Sequence, residues 1–119
     1  HLYAYNNKNI TNVNFLKNTL VYLDYSGICG INQNGIKNLK VIKYLDVSDN
    51  KKIKNVDYLN YSLIGLNCSG KSGINQDGIC KLRVSELNIN NNKKINNVNH
   101  LANTLIDLKC DGKSGVDQK

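Results

Sequence analysis

Leu63-Ile64-Gly65-Leu66-Asn67-Cys68-Ser69-Gly70-Lys71-Ser72-Gly73-Ile74 is the stretch that decides the fold. Leu63, Leu66 and Cys68 stand first, fourth and sixth, giving LxxLxC, and an apolar Ile74 follows six residues after Cys68. Leu66 and Cys68 are two apart, so on an extended chain they face the same side. The stretch recurs. Leu105, Leu108, Cys110, Gly112, Ser114, Gly115 and Val116 repeat it 42 residues later. Leu20, Leu23, Tyr25, Gly27, Gly30 and Ile31 repeat it more loosely 43 residues earlier.

A second kind of stretch lies between these. Leu45, Val47, Asn50, Ile53, Val56 and Leu59 match Leu87, Ile89, Asn92, Ile95, Val98 and Leu101, and Leu2, Ala4, Asn7, Ile10, Val13 and Leu16 match both. With Leu20, Ile42, Leu63, Val84 and Leu105 as first positions, the steps are 22, 21, 21 and 21 residues. Two alternating units therefore build a super-repeat of 42–43 residues. A period in this range carrying LxxLxLxxN marks a solenoid, whose units bury their apolar sides only against neighbours.

The segments Ile42–Asn50 and Val84–Asn92 resemble the leucine-rich repeat family. The unit with Ile53, Val56 and Leu59 is similar to the short bacterial internalin type. The unit with Gly73-Ile74-Asn75-Gln76-Asp77-Gly78-Ile79 is similar to the cysteine-containing type. The resemblance covers all six visible units. It implies one α/β domain over residues 1–119: a right-handed solenoid with a parallel sheet on its concave face and short helical or 3₁₀ turns on its convex face. The family's ninth-position Asn is present only in alternate units, as Asn7, Asn50 and Asn92. Ile28, Lys71 and Lys113 replace it in the others, each preceded by Gly, so a differently built turn is expected there. Position 4 (Leu2, Leu23, Leu45, Leu66, Leu87, Leu108), position 6 (Ala4, Tyr25, Val47, Cys68, Ile89, Cys110) and position 12 (Ile10, Ile31, Ile53, Ile74, Ile95, Val116) form the expected core columns.

Composition agrees with many thin layers. The chain has 119 residues, 40% apolar, with one Phe and no Trp, Met or Pro, too few large side chains for a single thick core. A start at His1 and an interruption at Lys119 imply a piece of a longer protein, with uncapped ends open to end-to-end self-association. No apolar run approaches the ~18 residues that span a membrane. Cys68 and Cys110 share a column two rungs apart, at roughly 10 Å, beyond the ~7 Å reach of a disulfide. Cys29 and Cys80 have no CxxC spacing. Reduced thiols used as small apolar fillers are expected, and with them a reducing, cytoplasmic compartment. The three Asn-x-Ser/Thr triplets, at Asn9, Asn60 and Asn67, arise readily by chance in so Asn-rich a chain.

Catalysis is not expected. His1 and His100 are the only histidines and stand far apart in the repeat, so no Ser-His-Asp or Cys-His pair forms. Ser69–Gly73 lacks phosphate-loop spacing, and Asp46–Asn50 lacks the Gly and distal Glu of a calcium loop. No metal or cofactor is implied. The formal charge of +7 permits nucleic-acid binding. Five of the nine acidic residues nevertheless fall at positions 3, 5 and 7, the outward face of the strands, which disfavours phosphate there.

That face supplies the expected binding residues: Tyr3, Tyr5, Tyr22, Asp24, Tyr44, Asp46, Asn67, Glu86, Asn88, Asp107 and Lys109. Tyr offers large contact area at low entropy cost, so a protein or peptide ligand is the expected partner. The competing expectation is cross-strand Tyr stacking that only steadies the sheet. Two other roles fit the same pattern: a structural spacer or surface array, and the recognition arm of a larger enzyme or ubiquitin-ligase adaptor.

Overall fold

Six strands of two or three residues pair in parallel and in chain order in the computed structural model, which describes residues 1–116. They are β1 (Leu2–Tyr3), β2 (Tyr22–Asp24), β3 (Tyr44–Asp46), β4 (Gly65–Asn67), β5 (Glu86–Asn88) and β6 (Asp107–Lys109). Lys119, expected to interrupt the sixth unit, lies outside the described residues. The register sets Leu2, Leu23, Leu45, Leu66, Leu87 and Leu108 side by side, as the repeat alignment requires. Parallel neighbours need a long return connection. Each return here is a loop bearing one helical turn: Asn14–Leu16, Asp57–Leu59, Asp77–Ile79 and Asn99–Leu101 are 3₁₀, and α1 (Gln33–Ile36) is a single α turn.

The core is a set of rows running across the rungs. Ile31, Ile53, Ile74 and Ile95 are fully buried, as are Tyr25, Val47, Cys68 and Ile89. Each such Leu or Ile contributes roughly 1.5–3 kcal/mol. Leu2, Ile10, Leu105, Leu108, Cys110 and Val116 are only partly covered, because a rung at either end has one neighbour. Phe15 and Ile106 stand 80% and 88% exposed in those end rungs.

The turn after the strand is built differently in the two unit types, as expected. The N–H groups of Asn7, Asn50 and Asn92 close it onto the carbonyls of Ala4, Val47 and Ile89, and those of Ile28, Lys71 and Lys113 make no such bond. The two types share one backbone feature. Position 8 is left-handed in all six rungs, at Asn6, Asp49 and Asn91 (φ 55°, 56°, 60°) and at Gly27, Gly70 and Gly112 (φ 69°, 65°, 69°). Only Gly, Asn and Asp adopt this conformation at small cost. The two solutions interlock. The Oδ1 atoms of Asn6, Asp49 and Asn91 occupy the place a Cβ would take on the glycine of the next rung. There they accept hydrogen bonds from the backbone N–H groups of Ile28, Lys71 and Lys113 at 3.1, 2.8 and 3.0 Å.

Bonds in the opposite direction close the super-repeat. Buried Asn50 donates Nδ2 to the carbonyls of Tyr25 (2.9 Å) and Ile31 (3.4 Å) and accepts from Lys52 N–H. Asn92 does the same to Cys68 and Ile74. Lys52 and Lys94 donate Nζ to the carbonyls of Cys29 and Ser72. On the other side of the molecule, Gln33 accepts from the N–H groups of Lys54 and Asn55 and donates to Asn55 O. Gln76 repeats this clamp on Asn96 and Asn97. Alternate units are thus chemically distinct halves of one 42–43-residue module.

Replacing Asn50 with Ala orphans two buried carbonyls and one N–H, each worth about 1–3 kcal/mol. Urea unfolding is expected to show a loss of roughly 3 kcal/mol for Asn50→Ala. Asn7→Ala, at the matching but exposed position, should stay within about 0.5 kcal/mol of the parent. Equal losses would mean that the ladder bonds are not what holds successive rungs.

Candidate functional site

The face of the sheet away from the core is built from positions 3 and 5, because strand side chains alternate. Position 3 begins with a stack. The Tyr22 ring lies 5.4 Å from both His1 and Tyr3 and 6.5 Å from Tyr44, with interplanar angles of 46°, 41° and 32°. These separations fall within the range at which tilted aromatic pairs attract. Tyr3 is 60% exposed and Tyr44 36%, so the stack is open to solvent. The Tyr22 hydroxyl titrates above its ordinary value, first through burial and then through Asp24, Asp46 and Tyr3. It therefore remains a neutral hydrogen-bond donor across the physiological range.

Position 5 has a structural role that the sequence expectation did not assign. Asp24 and Asp46 each turn Oδ1 back to the N–H and hydroxyl of the serine two residues on, Ser26 and Ser48, at 2.7–3.0 Å. Asn67 and Asn88 make the same bond to Ser69 N–H and Asn90 N–H. Asp and Asn favour such local turns intrinsically. The column thus ends the strands as well as lining the face. Each Asp keeps Oδ2 for other partners, and Asp46 Oδ2 accepts from Asn67 Nδ2 at 3.2 Å.

The two columns meet around Gly65. Tyr44, Asp46, Asn67, Glu86, Asn88, Asp107 and Lys109 surround an open depression of about 240 Å³, with Tyr22 at its margin. Three carboxylates and one ammonium give it an acidic character on a chain of net charge +7. Of the expected residues, Tyr3, Tyr22 and Tyr44 come together in the stack, and the others named here join at the depression. Asp24 lies beside the stack, half-buried. Tyr5 does not join either group: the strands end at position 5, so it stands beyond β1 in the turn, 59% exposed. Gly65 and His1 belong to the site and were not among the expected residues. The signal for Gly65 was the single missing side chain in the position-3 column.

Five lysines cluster elsewhere. Lys51, Lys71, Lys93, Lys94 and Lys113 border a separate groove of about 590 Å³ along the turns. Among the described residues, no three His, Cys, Asp or Glu side chains converge to hold a metal ion. The four cysteines are free. Burial pushes the Cys68 thiol up to about 12, despite an opposing hydrogen bond from Asn92, which keeps it protonated and inert. Exposed Cys80 donates to Asp57 Oδ2 at 2.9 Å, and that bond chiefly raises its pKa as well. His100 Nε2 meets the Ile79 carbonyl at 3.0 Å and ties two turns together. No helix of the described residues is long and apolar enough to cross a membrane.

Set against models of protein families, curated proteins and solved structures, the chain gives no match in any of the three comparisons.

Thiol titration tests the cysteine assignments. At pH 8 a disulfide reagent is expected to modify Cys80 first but slowly, because the Asp57 bond favours the thiol over the thiolate. Asp57→Asn removes the charged acceptor, lowers that pKa and should accelerate the reaction. Cys68 should react only at the rate of unfolding, and fast native labelling of Cys68 would contradict its burial.

Proposed function

We propose that the chain is a leucine-rich-repeat recognition module whose open, concave sheet face binds a protein or peptide carrying basic and polar side chains. The observation that carries this reading is the segregation of charge and aromatics. A tyrosine stack and an acidic depression with one lysine, Lys109, share one face, while five lysines border a separate groove along the turns. The fold assignment rests on the LxxLxLxxN spacing, the in-register parallel sheet and the buried ladder asparagines taken together. The module acts by binding, without catalysis of its own, in a reducing compartment consistent with four free thiols. Association of copies through the end rungs is a second reading, favoured by the exposed Phe15 and Ile106.

Selection from a random peptide library tests the first reading. Peptides captured by the parent protein should be enriched in basic residues. They should be lost by a Tyr22→Ala, Tyr44→Ala, Asp46→Asn variant of matched circular dichroism. Asn at position 46 keeps the Oδ1 acceptor that Ser48 requires and removes the charge together with the Oδ2 acceptor used by Asn67 Nδ2. Equal capture by parent and variant would remove the face from the account. Sedimentation showing concentration-dependent growth of the bare protein, together with an empty library selection, would move the account to the assembly reading.

A further inference from the structure

We propose that the depression at Gly65 is a slot for one arginine side chain of the bound peptide, an inference that rests on the recognition reading of this face. Along the sheet the position-3 column reads Tyr22, Tyr44, Gly65, Glu86, Asp107, so an aromatic half meets an acidic half at a residue without a side chain. A Cβ on Gly65 would lie 2.8 Å from Tyr44 Cδ1 and 3.2 Å from Cε1, and 3.4 Å from Glu86 Oε2. The Tyr44 ring and the Glu86 carboxylate therefore converge over the glycine, and any larger residue would displace the ring.

The surroundings select a planar cation. Asp46 Oδ1 is committed to Ser48 and its Oδ2 to Asn67. Among the described residues, the Glu86 and Asp107 carboxylates accept no hydrogen bond. Lys109 is the one basic residue on the lining, against three carboxylates. A guanidinium can lie flat on the Tyr44 ring and direct its in-plane N–H groups to the Glu86 and Asp107 carboxylates. A lysine ammonium matches the charge but has no flat face to stack. An anionic side chain is repelled, and a neutral donor makes only weaker bonds to the free carboxylates, without the charge assistance of a guanidinium.

The direct test is titration of ¹⁵N-labelled protein with acetyl-Gly-Arg-Gly-amide, alongside the same peptide carrying citrulline, a neutral isostere, or lysine. The arginine peptide is expected to shift the amides of Gly65, Asn67, Glu86 and Asn88 saturably. Citrulline should bind about tenfold more weakly or worse, with lysine intermediate. Glu86→Gln should bring arginine down to the citrulline level while leaving the amide spectrum elsewhere unchanged. Gly65→Ala should weaken all three peptides by displacing Tyr44. Equal shifts from arginine and citrulline, or arginine shifts scattered over every exposed carboxylate, would overturn the slot. The recognition reading fails separately: library peptides that still require Tyr22 and Tyr44 would preserve it even if the slot is lost.

Discussion

Every rung must leave the sheet through a left-handed residue, and the structure depends on how two successive rungs solve that problem jointly. A side chain at φ near +60° is tolerated only when it is small or when it bonds locally. One unit type uses Asn or Asp at this position and the other uses Gly. The carboxamide or carboxylate of the first then fills the space the second leaves empty and satisfies its next N–H. In the Asn and Asp rungs the next N–H turns back to its own strand end instead, Asn7 to Ala4, Asn50 to Val47 and Asn92 to Ile89. The alternation of sequence thus pairs two turn chemistries that fit against each other over a 42–43-residue period.

This turn also positions the open face of the sheet. Because the chain turns away after position 5, each rung gives the open face only two outward side chains, at positions 3 and 5. Position 5 is further constrained in four of the six rungs, where the Oδ1 of Asp24, Asp46, Asn67 or Asn88 closes the exit turn through the residue two along. Chemical variety is concentrated at position 3, where aromatic, empty and acidic positions follow in order. The acidic face and the lysine-bordered turns are segregated because they occupy different positions of the same short repeat.

The buried framework was legible in the sequence because burial imposes a period. Leu23, Leu45, Leu66 and Leu87 recur at nearly constant spacing, and the register of the sheet follows from that spacing alone. The tyrosine stack was legible for the same reason, since residues one repeat apart are spatial neighbours. Tyr5 was misplaced because periodicity marks which way a side chain points but not where a strand stops. The turn-closing bonds of Asp24 and Asp46 were hidden because an aspartate bonded to its own turn and one left free on the face read alike in the sequence. Gln33 and Gln76 reach across to the next rung through side-chain bonds that leave only a recurrence at 43 residues. Gly65 read as a gap and is instead the point where two kinds of side chain converge.

The mating of unlike rungs is the claim from which the rest follows, and a double-mutant cycle on Asp49 and Gly70 tests it most directly. Gly70→Ala places a methyl against Asp49 Oδ1, and Asp49→Gly removes that oxygen while keeping the left-handed turn accessible. Urea unfolding of the parent, both single variants and the double variant yields the coupling between them. The account predicts that Gly70→Ala costs at least about 1 kcal/mol less when Asp49 is already Gly. Additivity within about 0.5 kcal/mol would contradict it, because the two positions would then be turning independently.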